Sequence, residues 1–147
     1  MVRTEWSKEK AELDKVFVYG TLKKGFANHA VIAPYCKGIQ SAALAGRLFD
    51  LPYGYPAAID GEGIISGEVL ELSRVEEALA ELDRLEDYYG PGCADNLYDR
   101  VVREAILTNG SKVTVYVYLW NKPNELAKLG MINPQGSWGG NTGLIPH

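Results

Sequence analysis

Along the chain, apolar and polar positions fall into two alternating regimes, one of period two and one of helical period. Val16-Phe17-Val18-Tyr19 is an unbroken run of β-branched and aromatic side chains, the pattern of a central strand covered on both faces. Small and apolar residues over 38–51, among them Ile39, Ala43, Leu44, Ala45, Leu48 and Phe49, predict one extended strand. Ala57-Ala58-Ile59 predicts a short strand closed by Asp60-Gly61-Glu62-Gly63, and 64–72 a clearer one. Its last part alternates apolar and acidic residues, which predicts one wet face. Two more strands are predicted over 98–107 and 112–120, joined by Thr108-Asn109-Gly110-Ser111, where Asn-Gly is a strong hairpin signal. The second of these sets Val113, Val115, Val117 and Leu119 on one face and Thr114, Tyr116, Tyr118 and Trp120 on the other, so that aromatic hydroxyls line one surface.

Helical period appears most clearly after Ser73, which with Glu76 has the form of a capping box. At about 100° per residue, Val75, Ala78, Leu79, Leu82 and Leu85 fall on one stripe. Arg74, Glu76, Glu77, Glu81, Asp83, Arg84 and Asp87 project away from it, as a solvated face does. Glu86 breaks the rule. It follows Leu82 by four residues and Leu79 by seven, so its carboxylate points along the face meant for the core. Tyr88-Tyr89-Gly90-Pro91-Gly92 ends the helix soon afterwards, leaving two readings: a last-turn carboxylate already in water, or a partly buried one. Burial would raise its pKa toward the range in which a carboxylate acts as general acid and base near neutrality.

The end of the first strand carries the other concentration of chemistry. Gly20 permits backbone angles or close approaches that a side chain forbids, Thr21 supplies a hydroxyl, and Lys23 and Lys24 add positive charge. Asn28 is a fair N-cap for a short helix ending before Pro34, with His29 beside it as a surface or capping histidine. Leu51-Pro52-Tyr53-Gly54-Tyr55-Pro56 reads as a rigid aromatic loop.

Composition narrows the possibilities. The chain has 147 residues, 46% hydrophobic and 23% charged, which suits one globular domain with a substantial core. A formal charge of −4 argues against nucleic-acid binding, which wants a basic face. No apolar run approaches bilayer length, and the charged N-terminus lacks the apolar core of a secretory signal, so a cytoplasmic location without membrane attachment is expected. Cys36 and Cys93, isolated from each other and from both histidines, offer neither a redox pair nor zinc-ligand spacing and are expected as buried, inert thiols. Gly20 and Gly25 have the glycine spacing of a phosphate loop, yet Phe26 and Ala27 stand where its Lys and hydroxyl residue belong. Two histidines, one of them terminal, support no Ser-His-Asp or Cys-His arrangement.

Val-Phe-Val-Tyr-Gly-Thr-Leu-Lys-Lys-Gly over 16–25, followed by Asn28-His29, resembles the N-terminal signature of the gamma-glutamyl cyclotransferase-like family, especially its gamma-glutamylamine cyclotransferase branch. Leu82-Asp83-Arg84-Leu85-Glu86 is similar to the family's second signature, a Glu after a Leu-Asp pair on a helix, and Tyr98 to the Tyr that opens its next strand. The resemblance covers residues 16–120. It implies an α+β fold, a small mixed β-barrel with packed helices and a pocket at the barrel mouth. It further implies Tyr19, Gly20, Thr21 and Leu22 as the substrate loop, Glu86 as catalytic acid/base, Tyr98 and Tyr118 as pocket lining, a small gamma-glutamyl substrate, and no metal or cofactor. The corresponding division is an N-terminal arm over 1–15, the family domain over 16–122, and a tail over 123–147, partly loop or disordered, which Trp138 pins down. The same residues also fit a non-catalytic small-molecule or peptide-binding module using the same pocket, or a structural partner domain in which Glu86 is solvated.

Overall fold

Five strands close on themselves in the computed structural model, which describes residues 13–139. They are β1 (Lys15–Val18), β2 (Cys36–Asp50), β3 (Pro56–Leu72), β4 (Tyr98–Leu107) and β5 (Lys112–Trp120). Their order is β3-β1-β5-β4-β2, and β2 pairs back onto β3, so the sheet is a barrel. Because β1 runs parallel to β5 while its other neighbour β3 is antiparallel, the barrel is mixed, as expected. A two-residue strand, β6 (Met131–Ile132), adds to the far end of β2. Outside the wall lie α1 (His29–Ile32), which runs into a 3-10 turn at Ala33–Tyr35, then α2 (Val75–Leu85) and α3 (Leu126–Leu129). No helix among the described residues is long and apolar enough to cross a membrane. Up to residue 12 the expected N-terminal arm lies outside the described residues, as does the tail from residue 140 onward.

Two apolar clusters, one on each side of the wall, explain the strand patterns. Phe17, Leu44, Ile65, Val69, Ala105, Val115 and Val117 come from all five strands and fill the barrel. Val16, Val18, Leu70, Leu72, Tyr118 and Trp120 face outward and meet Ala78, Leu79 and Leu82 of α2. β1 therefore buries both faces, as its unbroken apolar run requires. The same holds for the end of β3. Its expected wet face is absent, since Val69 points into the barrel and Leu70 and Leu72 lie in the outer cluster.

β3 is also one strand rather than two. Ala45 pairs with Ile64 and Arg47 with Ile59, so the four residues 60–63 bulge out opposite Gly46. A side chain at Gly46 would place Cβ 2.7 Å from the Ile59 carbonyl oxygen, which is why the tight side of the bulge carries glycine. The hairpin after β4 forms as predicted, with Leu107 N–H bonded to Ser111 O at 2.8 Å.

α2 is held by packing more than by its cap. Leu82 is fully buried, worth roughly 1.5–3 kcal/mol relative to exposure. The expected capping box does not form: Arg74 occupies the N-cap position with φ 47°, and no side chain caps the helix. Ser73 is spent elsewhere, since its N–H and hydroxyl both donate to Tyr35 O, at 2.7 and 3.2 Å. Glu76 and Glu77 still favour the positive end of the helix dipole. Asn28 likewise gives no side-chain cap to α1. Cys36 and Cys93 are free, and both are partly exposed rather than buried. Trp138 is buried within the barrel cluster, 5.5 Å between ring centroids from Phe26, with its carbonyl accepting from Lys23 Nζ at 2.9 Å.

Candidate active site

β1 delivers the chain to the barrel mouth and ends at Val18, just before Tyr19, whose buried hydroxyl donates to Tyr118 O at 2.6 Å. The loop that follows turns its carbonyls toward α1. Lys23 N–H reaches Gly20 O at 3.1 Å, Asn28 N–H reaches Thr21 O at 2.8 Å, and His29 Nδ1 lies 2.9 Å from Leu22 O. Asn28 Nδ2 also donates to Thr21 Oγ1 at 2.8 Å. The N–H groups of Gly20, Thr21 and Leu22 donate to no acceptor among the described residues, so three amides are left available at one turn.

Opposite this loop stands the end of α2. Glu86 is its C-cap residue, with φ −91°, ψ 5°, and N–H bonded to Leu82 O at 2.9 Å. Continuation of the apolar stripe carries its side chain inward, and no group among the described residues donates a hydrogen bond to its carboxylate. Enclosure pushes the Glu86 carboxyl up to about 7, and the adjacent Asp87 charge adds to the rise. Of the two readings open from the sequence, this placement corresponds to the partly buried one. Glu86 retains partial exposure as a residue because it faces an open cavity.

That cavity, of about 190 Å³, brings together all seven residues singled out in the sequence: Tyr19, Gly20, Thr21, Leu22, Glu86, Tyr98 and Tyr118. The hydroxyls of the three tyrosines are all bonded within the protein. Tyr98 donates to Pro56 O at 2.6 Å and Tyr118 to Asp83 Oδ1 at 2.6 Å. Burial raises the pKa of all three phenols, so they stay protonated and keep these bonds. His29, Lys23 and Lys24 do not line the cavity; the histidine braces the loop, and Lys24 N–H bonds Glu68 at 2.9 Å.

Several lining residues were not singled out beforehand. Tyr55 and Pro56 complete one wall, and Asp87, at φ 54°, stands at the mouth. The aromatic loop over 51–56 was the signal for the first two, but nothing local shows that it folds over the end of β1. Asp83 departs from its assignment to the solvated face: it is partly buried and binds both Tyr118 and Arg100, the latter at 2.6 Å. No group of three His, Cys, Asp or Glu side chains among the described residues gathers to hold a metal. A carboxylate that titrates near neutrality, beside amides free to bind an anionic oxygen, has the parts for proton transfer at a carbonyl centre.

Comparison with known proteins bears on this arrangement. A family model described as gamma-glutamyl cyclotransferase, AIG2-like matches residues 16–140. Gamma-L-glutamyl-butirosin B gamma-glutamyl cyclotransferase from Niallia circulans is 34% identical over 114 residues, covering 78% of this chain and 71% of that protein. Among solved structures, an AIG2-like protein from Mus musculus superposes with a TM-score of 0.57 at 22% identity, covering 86% of this chain and 88% of that one. YkqA from Bacillus subtilis gives 0.62 at 24% identity over 85% of this chain, which spans only 39% of that longer protein. At these identities the two structures establish likeness of fold.

Proposed function

The chain belongs to the gamma-glutamyl cyclotransferase, AIG2-like family, and from that premise we propose that it releases 5-oxoproline and a free amine from a gamma-glutamylamine or related gamma-glutamyl compound, with Glu86 as general acid/base. The α-amine of the glutamyl group loses a proton to Glu86 and attacks the side-chain amide carbonyl. A C–N bond forms to close the five-membered ring, the bond to the departing amine breaks, and Glu86 returns the proton to that amine. Nucleophile and electrophile belong to one molecule, so the protein's task is to fold and hold the substrate. The free N–H groups of Gly20, Thr21 and Leu22 suit the α-carboxylate or the developing oxyanion. The rings of Tyr98 and Tyr118 suit the methylene chain of the glutamyl group.

One observation carries the reading: an enclosed, unpartnered carboxylate held near pH 7 shares a small cavity with three unbonded amides. The amine-type substrate is supported by Thr21-Leu22, which resembles the amine branch, and by the relative whose name gives a gamma-glutamyl-butirosin substrate. The departing group would then lie at the mouth, beside Tyr55 and Asp87. Incubation with a gamma-glutamylamine, a gamma-glutamyl dipeptide and glutathione, followed by assay of 5-oxoproline, tests the proposal. The amine is expected to turn over best, and Glu86→Gln to lower kcat/KM by about 10²–10⁴-fold. Intact substrates in all three incubations, or a fully active Glu86→Gln protein, would count against it.

A further inference from the structure

The ion pairs on the polar face of α2 are of two kinds. Arg84 with Glu81, and Arg74 with Glu77, are exposed pairs within the helix. Asp83 instead reaches across to the barrel. Its Oδ1 accepts from the Tyr118 hydroxyl and its Oδ2 from Arg100, each at 2.6 Å. Arg100 is itself confined, 5.3 Å from the centre of the Tyr88 ring and 5.4 Å from that of Tyr116. Asp83 O also accepts Tyr88 N–H at 2.9 Å, which fixes the chain just beyond the helix.

This clamp lies where apolar anchoring runs out. Ala78, Leu79 and Leu82 are buried, but Leu85, the last member of the stripe, is only partly so. The final turn, which ends at Glu86, therefore depends on other contacts for its position. Two charge-assisted bonds to one carboxylate, from residues on two different strands, define that position better than a single contact would. The chain of bonds continues into the substrate loop, since Tyr118 O accepts the Tyr19 hydroxyl at 2.6 Å.

We infer that Asp83 is a positioning residue: with Arg100 and Tyr118 it clamps the last turn of α2 to the barrel wall and so sets where the Glu86 carboxylate stands in the cavity. The inference rests on the proposed role of Glu86 for its catalytic consequence, though not for the geometric one. The test compares Asp83→Asn, Tyr118→Phe and the double variant by kcat and KM for a gamma-glutamylamine and by carbon-13 NMR titration of the Glu86 carboxyl. Asp83→Asn is expected to lower kcat by about ten- to a hundredfold, the scale of a small misplacement, with little change in KM. The Glu86 midpoint should fall from about 7 toward the ordinary glutamate value as the freed turn admits water. Tyr118→Phe should move both readouts the same way by less, and the double variant should be no worse than Asp83→Asn. A folded Asp83→Asn protein with an unmoved Glu86 midpoint overturns the inference, as do effects that add independently in the double variant. Should Asp83→Asn not fold, Tyr118→Phe decides by the same midpoint. If the wild-type protein makes no 5-oxoproline, the proposed function fails, while the titration still decides the clamp.

Discussion

A Cβ built on Gly20 would lie 2.7 Å from both Cγ and Cδ of Pro56, so the end of β1 and the start of β3 touch without room for one methyl group. The proline ring cannot swing aside as a long side chain would, and its carbonyl is already tied to the Tyr98 hydroxyl. Gly20→Ala should therefore push the loop away from the cavity wall. We expect a loss of about 1–3 kcal/mol, the usual scale of overpacking, seen as a lower urea midpoint. We also expect a larger loss in kcat/KM than the fall in folded fraction explains. Unchanged stability would show that the contact relaxes freely.

Glu86 makes stability depend on pH in a definite direction. Its folded-state pKa of about 7 stands above the 4.5 of an exposed glutamate, so the folded protein binds this proton more tightly than the unfolded chain. The associated stability is fully present below pH 4.5 and is lost as pH rises through 7. A shift of that size corresponds to about 3 kcal/mol. Glu86→Gln, neutral throughout, should match the wild type near pH 4.5 and exceed it by up to that amount at pH 8, measured by urea unfolding at both values. Activity should move oppositely, rising as Glu86 loses its proton near pH 7 and becomes a competent base. A stability difference that does not change with pH would mean that the carboxylate is solvated.

The same residue shows what local sequence can and cannot reveal. The helical stripe fixes the direction in which Glu86 leaves α2, and that direction alone distinguishes it from the seven charges, Arg74 to Asp87, that project away from the stripe. The strand bounds 98–107 and 112–120 were also legible, because a hairpin signal and alternating residues agree there. The direction in which Asp83 leaves the helix was equally clear, yet it suggested solvent. Periodicity gives a bearing from the helix axis, not what another part of the chain brings to that side, here Arg100 and Tyr118. The parallel pairing of Val16 with Tyr116 and the pairing of Ala42 with Leu107 between β2 and β4 are non-local for the same reason. Ser73 failed as a cap because a distant carbonyl, Tyr35 O, takes both its donors.

Asp87 is the second cause of the raised Glu86 pKa, after enclosure. It carries an unusual φ of 54° and receives the Tyr89 hydroxyl at 3.2 Å, but makes no ion pair among the described residues. Asp87→Asn keeps the shape and removes the charge. The Glu86 midpoint should then fall, though not to the ordinary value, because the enclosure remains. The acid limb of the pH–rate profile should move down with it. A profile that stays in place would show that Asp87 is too well screened by water to act on its neighbour.

Asn96 governs the segment that carries Asp87 and the mouth. It is the buried polar side chain among the described residues, only 2% exposed, and it sits inside the turn that follows α2. Its Oδ1 accepts Tyr89 N–H at 2.7 Å, while Nδ2 donates to Gly90 O at 2.8 Å and to Asp99 at 3.0 Å. The amide thus serves a donor and an acceptor of the backbone that no strand or helix partner satisfies. Asn96→Ala leaves both without their partner in a place water reaches poorly, at a cost of roughly 2–3 kcal/mol. Asn96→Asp is the sharper probe. It preserves the bond from Tyr89 N–H but loses both donors and sets a second carboxylate 3.0 Å from Asp99, so it should destabilise the fold more at pH 7 than at pH 4. Amide exchange at Tyr89 should separate the variants, faster in Asn96→Ala and still protected at low pH in Asn96→Asp. Equal exchange in all three proteins would show that the turn is held by the backbone bond from Leu97 N–H to Asp87 O, 2.9 Å long, without help from the asparagine.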